Sequence, residues 1–141
     1  MKPATLAAAV LAVIILASIT SACGDDTSTT TTPTPTSPTT SNVSTRLTVN
    51  GAISRSFTAT QAGTVTATLN SAGAAATIVG LGLGVPTAGI ASCGLSTAIV
   101  TTAGPAAQLA APVDAGRYCV AVYDVGRLTA EITVDLTIVY P

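Results

Sequence analysis

The C-terminal segment of the chain alternates between apolar and polar residues with a period of two. Thr, Glu and Asp separate a series of apolar residues, which are Leu128, Ala130, Ile132, Val134, Leu136, Ile138 and Tyr140. Because strand side chains point alternately to opposite faces, this period predicts a long β-strand with one face in a core and the other in water. A helix would need an apolar period of about 3.6, and no segment shows one convincingly.

The same period recurs upstream, which predicts strands through most of the chain. Gly63–Leu69 places Thr on one face and small or aliphatic residues on the other. Asn50-Gly51 is the dipeptide most favoured in two-residue turns, so it predicts a hairpin between Arg46–Val49 and Ile53–Ala59. Further strands are predicted at Ile78–Val85, Ala98–Thr101, Ala106–Ala111 and Arg117–Tyr123.

Residues 46–141 are therefore predicted to form one all-β domain. With no helical pattern between the strands, we expect an antiparallel β-sandwich of the jelly-roll or immunoglobulin-like kind, with about seven to nine strands.

Residues 23–45 have a different composition. Between Thr27 and Thr45, ten of nineteen residues are Thr, four are Ser and three are Pro. Such a segment buries no core, so it predicts a disordered tether with a reach of about 60 Å at ~3.1 Å per residue. The alternative is a glycosylated stalk, since Asn42-Val43-Ser44 matches an N-glycosylation acceptor.

Residues 1–22 have the layout of a secretory signal peptide. Lys2 provides a positive start, Ala4–Ile19 is apolar, and Thr20-Ser21-Ala22 ends the segment with small residues. A membrane-spanning helix usually needs about 20 apolar residues, and this stretch is shorter. The pattern predicts an exported protein.

Ser21-Ala22-Cys23 resembles the end of a bacterial lipoprotein signal peptide, in which two small residues precede the cysteine that receives diacylglycerol. The family usually has Leu where this chain has Thr20. The resemblance implies lipidation of Cys23 and anchoring to a membrane on the extracytoplasmic side, in the periplasm or at the cell surface. The alternative is an ordinary secretory peptide, cut after Ala22, which would leave Cys23 as a free thiol.

The chain has three cysteines, an odd number for an exported protein. If Cys23 is acylated, Cys93 and Cys119 remain as a pair. Outside the cytoplasm they are expected to form a structural disulfide. A redox-active pair would be favoured by a Cys-x-x-Cys spacing or a strong positive neighbour, and Arg117 alone is weak support for one.

Much of Leu47–Tyr140 resembles the bacterial pre-peptidase C-terminal domain. The matching segments are Val49–Phe57, Gln61–Leu69, Ala115–Tyr123 and Ala130–Tyr140. Members are β-sandwich appendages of secreted enzymes and surface proteins, and some bind polysaccharide, collagen or calcium. Val79–Val85 replaces the family's usual Asp-x-Asp-Leu segment, so calcium or carbohydrate binding is not carried over.

The residues available for chemistry are few. The chain has no His, and its single Lys, Lys2, lies in the predicted signal peptide. A mature chain of this kind cannot build Ser-His-Asp, Ser-Lys or Cys-His arrangements. The domain, residues 46–141, holds four scattered carboxylates, those of Asp114, Asp124, Glu131 and Asp135. We therefore expect no catalytic, cofactor or metal site; the alternative is a carboxylate-dependent secreted hydrolase that uses Asp114 or Asp124.

Gly80, Gly82 and Gly84 alternate with aliphatic residues and lack the following helix and Lys of a phosphate loop. They predict a strand whose second face is bare or closely packed against another surface. The four Arg and four acidic residues of the domain give no basic patch, so we expect no nucleic-acid binding. The sequence favours a monomeric, non-catalytic envelope module with a polysaccharide or protein partner.

Overall fold

The computed structural model describes residues 36–87 and 92–141, in which eight β-strands follow one another. These are β1 Thr39–Leu47, β2 Ala52–Ala59, β3 Gly63–Ala72, β4 Val79–Pro86, β5 Cys93–Thr101, β6 Leu109–Val113, β7 Gly116–Tyr123 and β8 Ile132–Tyr140. The described residues contain no helix. The all-β prediction is confirmed.

The strands form two antiparallel four-stranded sheets. Sheet I has the order β1-β8-β3-β6, and sheet II has the order β2-β7-β4-β5. Every connection except β4–β5 crosses from one sheet to the other, so the pairs 1/8, 2/7, 3/6 and 4/5 arise as in a long hairpin folded over itself. This is the eight-stranded jelly-roll order, which decides between the two sandwich types that the sequence left open.

Inward-facing aliphatic side chains from both sheets make the core. In β3 the side chains of Val65, Ala67 and Leu69 are fully buried, and the intervening Thr residues lie outside. In β8 the buried positions are Val134, Leu136 and Ile138. The period-two prediction is confirmed for β3, and for the C-terminal segment it is confirmed from Ile132 onward, whereas Ala130, which was expected to face the core, is exposed.

The first strand begins inside the predicted tether. β1 starts at Thr39, and its residues 39–47 pair with Ile132–Tyr140 of β8. The predicted start of the domain at Arg46 is therefore wrong, because most of β1 lies before that residue. Thr is β-branched and suits a strand with one wet face, and β8 supplies the pairing partner that the local composition does not reveal.

The Asn50-Gly51 turn does not make the predicted hairpin. Gly51 donates to the Thr48 carbonyl at 2.9 Å, and Asn50 has a φ of 55°, so the turn itself is present. However, β1 pairs with β8 and β2 pairs with β7, so the turn joins the edges of two different sheets. The dipeptide favours the tight reversal but does not determine which strands pair.

Candidate functional site

Strand β4 presents no side chain on its outer face before the register shift. Its core-facing residues Val79, Leu81 and Leu83 are at most 3% exposed, and they alternate with Gly80, Gly82 and Gly84. The glycines are buried as well, so the outer side of the strand is covered. Of the two forms predicted for this surface, bare or closely packed, the structure has the closely packed one.

Side chains from the two neighbouring strands cover the first glycines. The ring of Tyr123, from β7, lies against Gly80, where a Cβ atom would overlap three ring carbons. The side chain of Leu95, from β5, lies over Gly82, where a Cβ would come within 2.7 Å of Leu95 Cδ1. Glycine at these positions lets a large side chain rest directly on the backbone of β4.

The N-terminal end of β5 folds over the outer face of β4. The register shifts between Leu83 and Gly84, and such a bulge bends a strand. The Gly94 carbonyl then lies where a Cβ of Gly84 would be. The same bend brings Cys93 within reach of Cys119 on β7, and the two form a disulfide with a Cα–Cα distance of 5.7 Å. The predicted disulfide is confirmed, and it links the two strands that flank β4.

A shallow depression of about 400 Å³ lies beside this cover. Ala121 of β7 is only 6% exposed, and the side chains of Tyr123 and Leu95 stand beside it. The remaining lining comes from the β1–β2 turn, the start of β2, Ser92, Cys93 and Asp124. We call the outer surface formed by Gly80, Gly82, Gly84, Leu95, Ala121 and Tyr123 the glycine face.

Among the residues that the structure describes, Asp124 is the one charged residue that lines the depression, and its carboxylate accepts hydrogen bonds from backbone amides. Oδ2 accepts from the Asn50 N–H at 2.8 Å, and Oδ1 accepts from the amides of Gly126, Arg127 and Leu128. The Asn50 amide contributes most to a pKa below the ordinary value of 3.8, partial desolvation opposes it, and the other amides lower it further. Asp124 thus joins the β1–β2 turn to the β7–β8 loop.

The last strand is shorter than predicted. The alternating pattern starts at Leu128, whereas β8 starts at Ile132. Amides bound by Asp124 belong to the loop before the strand, yet the Leu128 side chain is still only 8% exposed. The pattern correctly indicated burial there but not strand pairing.

The other three carboxylates of the domain lie in separate places. The Arg46 Nη1 atom lies 2.8 Å from Oε1 of Glu131 in an exposed ion pair. Asp135 accepts from the hydroxyls of Ser44 and Ser71, in that order of importance, and these bonds lower its pKa against a smaller desolvation effect. Asp114 lies in the β6–β7 turn. Among the described residues, no three His, Cys, Asp or Glu side chains come together to hold a metal ion.

The outer face of sheet I is polar and differs completely from the glycine face. Its register places three rows of side chains across β1, β8 and β3, which are Thr40-Val139-Thr66, Asn42-Thr137-Thr68 and Ser44-Asp135-Ser71. The Thr137 hydroxyl donates to Asn42 Oδ1 at 2.8 Å and accepts from Asn70 Nδ2 at 2.9 Å. We call this surface the hydroxyl face.

Sequence reasoning found the glycines but missed what covers them. The sequence predicts a strand for Tyr123 but no contact with the glycines, and Leu95 lies outside the strand predicted at Ala98–Thr101. The available signal was the combination of an alternating glycine strand with a tyrosine at the end of another strand. Their contact depends on the pairing of Gly80 with Tyr123, which local sequence does not specify.

The predicted signal peptide, the predicted lipidation site Cys23 and most of the predicted tether lie outside the described residues. Within residues 36–87 and 92–141, no helix has the length and apolarity needed to cross a membrane. Comparison of the chain with protein-family models and with curated proteins finds no match.

Proposed function

We propose that this chain is a lipid-anchored, non-catalytic binding module on the extracytoplasmic side of a membrane, with the glycine face as its binding surface. One observation carries the proposal for the domain. An apolar, open depression lies beside Tyr123, and Asp124, the one charged residue among the described residues that line it, already accepts hydrogen bonds from backbone amides. Small concave sites with a few polar groups are where proteins bind ligands.

The position of the depression supports this proposal. β1 begins at Thr39, on the side of the predicted tether, and runs about 30 Å at roughly 3.3 Å per residue. The Asn50-Gly51 turn follows its far end, and this turn lines the depression. The chain therefore enters the domain at the end opposite to the depression.

The chemistry of the surface favours a neutral ligand. The Tyr123 ring lies flat on the backbone of Gly80, which gives a rigid aromatic surface with a hydroxyl at its edge. Sugar rings have apolar C–H faces that pack on aromatic rings, and hydroxyls that bond polar groups around them. We therefore propose a neutral envelope polysaccharide as the ligand class.

The placement of the carboxylates supports a non-catalytic role. Asp124 binds backbone amides, Asp135 binds two serines, and Glu131 pairs with Arg46. A hydrolase of the alternative kind would need two carboxyl groups to share one site, about 5–9.5 Å apart in glycosidases. The described contacts instead assign three of the four to separate structural partners.

Binding to the glycine face is tested with the full-length chain in detergent and a panel of neutral and anionic polysaccharides. Wild type is expected to bind a neutral member, and Tyr123→Ala to weaken that binding by about tenfold or more, since aromatic anchors dominate many interfaces. Tyr123→Phe keeps the ring and is expected to retain most of the affinity. Thr68→Ala, on the hydroxyl face, is the matched surface control.

Two results would contradict this assignment. Equal affinity of wild type and Tyr123→Ala would place the ligand elsewhere, provided that thermal unfolding shows both variants to be folded. Binding of anionic polysaccharides only, or of none, would exclude the neutral ligand class.

The anchor is tested separately from the ligand. Mass spectrometry of the mature N-terminus is expected to show diacylglycerol on Cys23, and Cys23→Ala is expected to move the protein from the membrane fraction to the soluble fraction. An unmodified Cys23 in a correctly cleaved protein would disprove lipidation and leave the binding proposal untouched.

A further inference from the structure

The four edge strands of the sandwich differ in their protection against pairing with another chain. β1 carries Arg46 and β2 carries Arg55, while β6 has only five residues and contains Pro112. Charges, proline and short length are the usual devices that keep an edge from pairing. β5 has nine residues, no charge and no proline, so it has none of these three devices.

β5 also exposes apolar side chains. Val100 is 64% exposed and Leu95 is 39% exposed. The bulge opposite Leu83 and Gly84 distorts the N-terminal half of the strand, whereas Thr97–Thr101 pairs regularly with Val79–Leu83 of β4. No described strand pairs with the other side of β5. The regular half therefore offers backbone groups and an apolar side chain at an open edge.

We propose that a second copy of this chain pairs with β5, antiparallel along Thr97–Thr101, and continues sheet II across a twofold axis. Two identical edges pair antiparallel by a self-complementary contact. Centred on Ile99, such pairing places Ala98 of one copy opposite Val100 of the other, so the most exposed valine packs beside a small residue.

Charge makes β5 the edge best suited to a second copy. An uncharged strand brings no like charges together when it pairs with itself, whereas β1 or β2 would bring Arg46 or Arg55 towards its own copy. This dimer would replace the monomer expected from the sequence. It depends neither on the polysaccharide proposed above nor on the lipid.

Cysteine cross-linking of the full-length chain in intact cells tests the pairing. With a short bis-maleimide, Ala98→Cys is expected to yield at least about fivefold more dimer on reducing gels than Thr58→Cys, an exposed position on the edge strand β2. Adding Val100→Lys to Ala98→Cys is expected to abolish this excess of dimer, because the two lysines would then lie diagonally across the paired strands, about 7–8 Å apart, and their like charges would repel. Formation of the Cys93–Cys119 disulfide shows that each variant is folded.

Three results would overturn the proposal. The first is equal cross-linking from Ala98→Cys and Thr58→Cys. The second is cross-linking that persists after Val100→Lys. The third is an Ala98→Cys product that contains a different protein instead of two copies of this chain.

Discussion

The outer faces of the two sheets are covered in two different ways. On the hydroxyl face, Thr, Ser and Asn side chains bond one another in rows across three strands, and water reaches them. On the glycine face, a strand without outer side chains is covered by Tyr123, Leu95 and the backbone of β5. Both sheets have the same inward alternation, so the core alone does not distinguish them.

The two faces differ in how well they tolerate substitution. Exposed hydrogen bonds on the hydroxyl face can be replaced by hydrogen bonds to water, so each one contributes little to the stability of the fold. The glycine face relies on close contact and on the disulfide, and a methyl group added at Gly84 would overlap the backbone of β5. We therefore expect substitutions on the glycine face to destabilise the domain much more than substitutions on the hydroxyl face.

The largest effect is expected from the disulfide that holds the glycine face together. Cys93 and Cys119 are 26 residues apart in sequence, and closing such a loop stabilises the fold by about 3.5 kcal/mol in the chain-entropy model. The double variant Cys93→Ala/Cys119→Ala should lose that amount in urea unfolding at pH 7. A loss below about 1 kcal/mol would show that the bend of β5 holds without the covalent link.

The next effect is expected from a single methyl group at Gly84. Its Cβ would overlap the Gly94 carbonyl oxygen, which is backbone and cannot rotate away. Gly84→Ala should therefore cost about 2–3 kcal/mol in chemical unfolding, in the range of overpacked cores.

Gly116→Ala is the matched control for this prediction. Its Cβ would find Tyr118 Cε2 at an ordinary contact distance of 3.5 Å. We expect a change within about 0.5 kcal/mol. Similar losses of unfolding free energy from Gly84→Ala and Gly116→Ala would mean that β5 does not press on β4. The expected difference between the glycine face and the hydroxyl face would then be wrong.

These two variants also mark what the sequence could and could not predict. Alternation in β3 and β8 reports which side chains are buried, because that depends on each strand alone. Alternating glycines likewise indicated a strand with a close or bare face. Which strands pair depends on contacts between distant residues, so Asn50-Gly51 predicted a turn correctly and its strand partners wrongly.

The candidate site was less predictable than the fold for the same reason. The depression needs Tyr123 beside Gly80, Leu95 over Gly82 and a bulge at Leu83/Gly84. Each is a consequence of register, and the Thr-rich composition before Arg46 also concealed the strand that completes sheet I. The cysteine pairing was predictable because counting and compartment do not depend on register.

Acid should weaken the hydroxyl face through Asp135. Hydrogen bonds from Ser44 and Ser71 hold the pKa of this carboxyl below its ordinary value of 3.8 in the folded state. A depressed pKa contributes stability that is fully present above the unfolded value and is lost as pH falls through the folded value. Asp135→Asn should therefore be less stable than wild type at pH 7, and the difference in unfolding free energy between the two proteins should decrease below about pH 4.

NMR titration of Asp135 provides the direct measurement for this prediction. Ser44→Ala/Ser71→Ala should raise its pKa towards 3.8 and leave the pKa of Asp124, which backbone amides lower, unchanged. An unchanged Asp135 pKa in the double variant would show that the serines do not bond the carboxylate in solution.

The smallest effect is expected at the centre of the hydroxyl face. Thr137→Val removes the hydroxyl that donates to Asn42 and accepts from Asn70, but keeps the shape and the β-branched side chain. Because all three side chains are accessible to water, the freed groups find new partners, and the change in unfolding free energy should stay within about 0.5 kcal/mol. A loss of unfolding free energy comparable to that of Gly84→Ala would show that the rows of the hydroxyl face act cooperatively. The exposed hydroxyl face would then be as sensitive to substitution as the packed glycine face.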